Sequence, residues 1–101
     1  MIVRRWLAPR APNKKQIQLL FEKDHLDFFE ENFDPGIEIP DHRHPFDEIR
    51  MIVEGELLYN IGGNKLLLRQ GDQIVIPSNT KHSKKVQGTN KCISICAYKA
   101  Y

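Results

Sequence analysis

Turn signals cut most of this chain into short segments, and connections so brief exclude a parallel sheet. Asp34-Pro35-Gly36, Glu54-Gly55-Glu56, Gly62-Gly63-Asn64 and Pro77-Ser78-Asn79-Thr80 carry the residue types that tight turns require. Between them lie apolar or aromatic runs of strand length: Leu26 to Phe33, Phe46 to Val53, Leu57 to Ile61, Leu66 to Leu68, Gln73 to Ile76 and Lys91 to Tyr98. Parallel neighbours need a crossover of about a dozen residues or more, usually helical. The chain therefore reads as all-β, an antiparallel sandwich or barrel. One helix precedes the strands. Asn13 with Gln16 forms a capping signal, and Ile17, Leu20 and Phe21 share one helical face, so a short helix is expected from about Asn13 to Lys23.

The length of 101 residues suits one compact domain, and neither a repeat nor a low-complexity tract divides it. Hydrophobic residues at 41% and charged residues at 28% are ordinary for a globular chain. A formal net charge of +2, with the basic pairs Arg4-Arg5, Lys14-Lys15 and Lys84-Lys85 scattered, gives no footprint for nucleic acid. No segment has the length and apolarity of a membrane span, and the first residues lack a signal-peptide core before Pro9. Cys92 and Cys96 share a face if their run is a strand, but at about 3.3 Å per residue they stand roughly 13 Å apart. A disulfide needs less than about 7 Å. Two unpaired thiols fit a cytoplasmic protein. A chain this short buries a modest fraction of its surface alone, and short strands leave an open edge. A homodimer is expected, with residues around Trp6 contributing.

Chemistry concentrates in His42, His44, Glu48 and His82. On an extended segment, residues two apart point the same way, so His42 and His44 can face one point. Glu48, an even number of positions further, keeps that parity if no bulge intervenes. His82 follows the turn after Pro77 and can converge from a neighbouring strand. Three imidazoles and a carboxylate suit one divalent transition metal among Mn, Fe, Co, Ni, Cu and Zn. An octahedral ion would keep two positions for small molecules, whereas a tetrahedral zinc would be filled.

These residues resemble the cupin superfamily. Its first motif, G-x5-H-x-H-x3-E-x6-G, is matched at Gly36, His42, His44, Glu48 and Gly55, over residues 36–55. Its second, G-x5-P-x-G-x2-H-x3-N, is matched at Gly71, Pro77 and His82 over residues 71–86, with Asn79 in place of glycine and Val86 in place of asparagine. Neither departure removes a ligand, and Asn tolerates the left-handed backbone that glycine would supply. The resemblance implies a double-stranded antiparallel β-barrel of jelly-roll type with one short N-terminal helix, residues 1–101 forming a single cupin domain. It also implies the metal role of His42, His44, Glu48 and His82. It does not choose an activity, because cupins include dioxygenases, isomerases, decarboxylases and binding proteins.

Other residues are weighed by position. Arg50 shares the parity of Glu48 and should point inward, either to clamp a substrate carboxylate or phosphate or to pair with Asp47, Glu54 or another acid. Tyr59 is a candidate donor to substrate or a packing residue. Asp41 and Asp47 are candidates to orient an imidazole or are exposed turn residues. His25 is read as a surface residue, and Trp6, Phe28, Phe29 and Phe33 as core or interface. The functional expectation is a small metal-dependent enzyme of dioxygenase or oxidase type, acting on an acidic or enol-like small molecule with Glu48 as base. The alternatives are a sugar-phosphate isomerase and a non-catalytic module that binds or senses a sugar or anion.

Overall fold

A computed structural model describes residues 1–100. The chain runs through β1 (Ile2–Arg4), α1 (Lys14–Lys23), β2 (Phe28–Phe33), β3 (Glu38–His42), β4 (Asp47–Glu54), β5 (Glu56–Ile61), β6 (Asn64–Leu68), β7 (Gln73–Ile76), β8 (His82–Gln87) and β9 (Cys92–Lys99). Five strands form one antiparallel sheet in the order β1-β7-β4-β9-β2, and four form a second in the order β3-β8-β5-β6. The sheets face one another as a jelly-roll-like sandwich and do not join into a continuous hydrogen-bonded barrel. Among the described residues no helix is long and apolar enough to cross a membrane.

Alternation along each strand sorts the side chains into two cores. Ile52, Leu57, Tyr59, Ile61, Leu68, Ile74, Ile76, Val86 and Cys92 point between the sheets. The opposite faces of β4 and β9 carry Met51, Val53, Ile95 and Ala97, which pack beneath Ile17 and Phe21 of α1. The central strand β4 is thus buried on both faces. The helix begins as its sequence demands: Gln16 N–H donates to Asn13 Oδ1 at 2.9 Å, and Asn13 N–H donates to Gln16 Oε1 at 2.9 Å. Leu20 departs from expectation and is 41% exposed, because the contact face is only as wide as the Ile17–Phe21 ridge. Exposed His25 ends the helix in the left-handed region at φ 56°.

Strands β1, β3 and β8 lack a clear hydrophobic alternation in sequence. They form because paired neighbours supply their hydrogen bonds: β1 lies along β7, and β8 lies between β3 and β5. Gly55 closes the β4–β5 reversal at φ 81°, where a Cβ would collide with the Lys91 carbonyl oxygen and stand 3.0 Å from Cys92 Cα. Cys92 and Cys96 are both buried and unpaired, as their spacing requires.

Asp72 ties the N-terminal strand down. It accepts from Trp6 N–H at 3.0 Å, Arg69 N–H at 3.0 Å and Arg5 Nη1 at 2.8 Å. Burial alone would raise its pKa, but these donors outweigh burial and hold the carboxyl below its ordinary value. A carboxyl depressed in the fold adds stability above its unfolded pKa and loses it as pH falls through the lower folded value. Urea midpoints are therefore expected to fall as pH drops below about 4. Asp72→Asn should flatten that dependence while lowering stability at neutral pH, and an unchanged acid slope would refute the assignment.

Candidate metal centre

The histidines and Glu48 arrive from different sheets. The unbroken parity expected from His42 to Glu48 does not exist, because β3 ends at His42, His44 lies in the connection, and Glu48 opens the opposite sheet. Within β3, Ile39 pairs with Lys84 and His42 with His82, so one extra residue sits on β3 between those pairs. This bulge turns His42 inward although it stands three positions from Ile39. Pro40 occupies the bulge, where its missing N–H costs no ladder bond. The loop holding His44 is tied to the turn before β8. Asn79 N–H donates to the His44 carbonyl at 2.8 Å, and Ser78 N–H donates to Asp47 Oδ1 at 2.8 Å. Asn79 takes the left-handed conformation at φ 63°, as its place in the second motif anticipates.

Backbone carbonyls set the tautomer of all three rings. Nδ1 of His42 meets the Pro40 carbonyl at 2.9 Å, that of His44 the Phe46 carbonyl at 2.9 Å, and that of His82 the Thr80 carbonyl at 2.8 Å. A carbonyl only accepts, so each Nδ1 carries the hydrogen and each neutral ring presents an Nε2 lone pair. A ligand nitrogen from each of the three converges within 4.8 Å of the others. Glu48 Oε1 lies 3.4 Å from His44 Nε2 and 3.7 Å from His82 Nε2. His82 Nε2 is buried and has no hydrogen-bond partner. Lone pairs facing a carboxylate oxygen need a positive charge between them. One proton bridges one such pair, whereas a cation serves all of them, so this donor set fits a divalent transition metal.

The other carboxylate oxygen is held from behind. Glu48 Oε2 accepts from Tyr59 OH and from Arg50 Nε at 3.1 Å, with Lys84 Nζ at 3.8 Å. Arg50 also donates from Nη1 to Ser94 Oγ at 2.7 Å, and its Nη2 forms an ion pair with Glu31 Oε1 at 2.8 Å. Burial would raise the Glu48 pKa. The nearby His82 ring, the charges of Arg50 and Lys84, and the Tyr59 hydroxyl overcome it and keep the carboxyl well below the usual range. Burial pushes the Tyr59 hydroxyl well above its ordinary value. Burial, then the charge of Arg50, lowers Lys84. Burial also lifts the Cys96 thiol to about 12 and Cys92 to about 11, so both stay neutral.

Of the sequence candidates, His42, His44, Glu48 and His82 come together, and Tyr59 and Arg50 lie directly behind Glu48. Arg50 is fully buried and pairs with Glu48 and Glu31 rather than with Asp47 or Glu54. Asp41 and Asp47 orient no imidazole, since the carbonyls do so; Asp41 lies 3.9 Å from Lys81. Phe33 packs against the inner core and Phe28 against the outer one. Sequence reasoning missed Glu31, Lys84 and Ser94. Lys84 is two positions from His82, and Ser94 alternates with Cys92 and Cys96, so strand parity is the signal for both. Glu31 carries no such signal, because only the β2–β9 pairing brings it near Arg50. A separate cavity of about 350 Å³ opens on the outer face of the four-stranded sheet, away from the histidines.

A family model described as a cupin domain matches residues 29–98, and the chain belongs to that family. It is 35% identical over 60 residues to an acireductone dioxygenase of Bacillus licheniformis, covering 54% of this chain and 34% of that one. It is 37% identical over 60 residues to a gentisate 1,2-dioxygenase of a Ralstonia species, covering 58% of this chain and 17% of that one. An oxalate oxidase structure in complex with the substrate analogue glycolate superposes with a TM-score of 0.64 at 28% identity, over 72% of this chain and 41% of that chain. The matched region is thus a minor part of each of these proteins.

The ion pairs behind Glu48 have a measurable consequence. Arg50→Ala would leave Glu48 and Glu31 without their common partner in a desolvated interior. Stability should fall by about 3–5 kcal/mol in urea unfolding, and a loss below about 1 kcal/mol would show that the network contributes no more than a surface pair.

Proposed function

We propose that this chain is a metal-dependent cupin enzyme of oxygenase or oxidase type. In this reading His42, His44, Glu48 and His82 hold one divalent transition metal, and a small acidic or enol-like molecule binds beside it. The observation that carries the reading is the convergence of three carbonyl-anchored Nε2 lone pairs with Glu48 Oε1, one of those nitrogens being buried and unpartnered. Three relatives with dioxygenase or oxidase names support the reaction class.

A bound ion would supply Lewis acidity and a template for chelating oxygens. The chain's own residues do the rest. Pro40, Phe46 and Thr80 carbonyls keep the rings in the metal-binding tautomer. Arg50 and Tyr59 hold Glu48 Oε2, so Oε1 alone is left to the centre. A proton taken by Glu48 would have to reach Oε1. Arg50 has no exposed surface, which gives no support to an anion clamp of the kind a sugar-phosphate isomerase would need from it.

Protein purified without added metal is expected to carry close to one transition-metal equivalent per chain by elemental analysis. Glu48→Gln and His82→Ala should each weaken metal affinity by at least about ten-fold, the first by losing charge and the second by losing a donor. Oxygen uptake with catechols, thiols and diketones tests the reaction class. Absence of metal binding overturns the centre, and tight ligand binding without metal or turnover would favour a binding module.

A further inference from the structure

A side chain that faces the opposite sheet is ordinarily buried, and two residues of the five-stranded sheet break that pattern. Tyr98 pairs with Glu48 and Phe29 pairs with Cys96, so both stand on the inner face with the metal-site residues. Yet Tyr98 is 43% exposed and Phe29 39%, while Ser94 and Cys96 on the same face are at 0%. These two rings therefore stand at the rim of the inner face, and ring contacts connect them to the histidines. The Tyr98 ring lies 5.8 Å from that of His44. Phe46 bridges them, 4.3 Å from Tyr98 and stacked on His44 at 4.2 Å with planes 7° apart. Phe29 meets Tyr98 edge to face at 5.2 Å.

These contacts make a continuous aromatic wall from solvent to the nitrogen cage. Aromatic rings left partly exposed on an inward wall favour a flat apolar group. Sheets packed roughly 10 Å apart leave room for a ring between side chains but not for a further strand. Beneath the wall, Glu48 and Glu31 formally balance Arg50 and Lys84. A divalent ion added there leaves an excess of positive charge, which an anionic ligand relieves.

We infer that the mouth of the site takes an anionic chelating ligand bearing an aromatic ring, the ring seated against Phe29, Phe46 and Tyr98 and the oxygen donors directed at the histidines, an assignment that rests on His42, His44, Glu48 and His82 holding an ion as proposed. Phenylpyruvate and pyruvate share a keto-acid chelating end and differ by the ring. Titration calorimetry under nitrogen, on the full chain loaded with Ni(II), should show phenylpyruvate binding at least about ten-fold more tightly. Phe29→Ala and Tyr98→Ala should each cut that ratio to roughly three-fold or less. Bound nickel, measured by elemental analysis, should stay at the wild-type level, because neither residue offers a donor to the ion. Equal affinities overturn the inference, as does a preference that both variants retain. A dimer in light scattering that either variant dissociates would assign the rings to a second copy and also overturn it. Nickel failing to bind the wild-type chain would instead overturn the metal centre, and this inference with it.

Discussion

Arg50 is the contact on which the interior depends. Its guanidinium is buried at 0% exposure and joins three adjacent strands, reaching Glu48 in β4, Ser94 in β9 and Glu31 in β2. Burying a charge is expensive unless it is paired, and a buried pair roughly offsets its own desolvation at best. The network is therefore no simple source of stability. Its effect is positional: it holds one oxygen of Glu48 and presents the other to the histidines. The interior is consequently divided. Ile52, Leu57, Leu68, Ile74 and Ile76 fill one part with apolar contacts, and the polar cluster occupies the part nearest the site.

The two sheets contribute different things to the centre. The four-stranded sheet and its flanking connection supply the three imidazoles, each fixed by a local carbonyl two residues away in sequence. That arrangement is short-range and withstands small shifts between the sheets. Glu48 comes from the other sheet, on a strand that α1 covers from outside through Ile17 and Phe21. The relative placement of acid and imidazoles therefore depends on sheet-to-sheet packing. The bonds from Asn79 to His44 and from Ser78 to Asp47 tie the turn before β8 to the loop that crosses between the sheets.

Buried thiols and a buried lysine complete this picture. Cys92 and Cys96 lie on the same inner face as Ser94, and burial keeps both neutral, so they act as small apolar residues. Lys84 sits over the rings of Phe33 and Tyr59 at 5.7 and 5.6 Å, which gives its charge a partial substitute for water.

Residue type and spacing alone determined much of this protein. Turn residues at close intervals dictated an antiparallel fold, Asn13 and Gln16 dictated where the helix starts, and the His42, His44, Glu48 and His82 pattern marked the candidate metal centre. These are local signals, written in backbone preference and donor chemistry. The tertiary structure decided what depends on pairing between distant segments. Strand β8 has charged Lys84 at a buried, inward-facing position where alternation would want an apolar residue, so its place between β3 and β5 is what makes it a strand. The bulge at Pro40 and the crossing between sheets, rather than strand parity, bring His42 and Glu48 to one point. Glu31 meets Arg50 across β9, a neighbour relation that no spacing in the sequence encodes, because it arises from the order in which the strands add to the sheet.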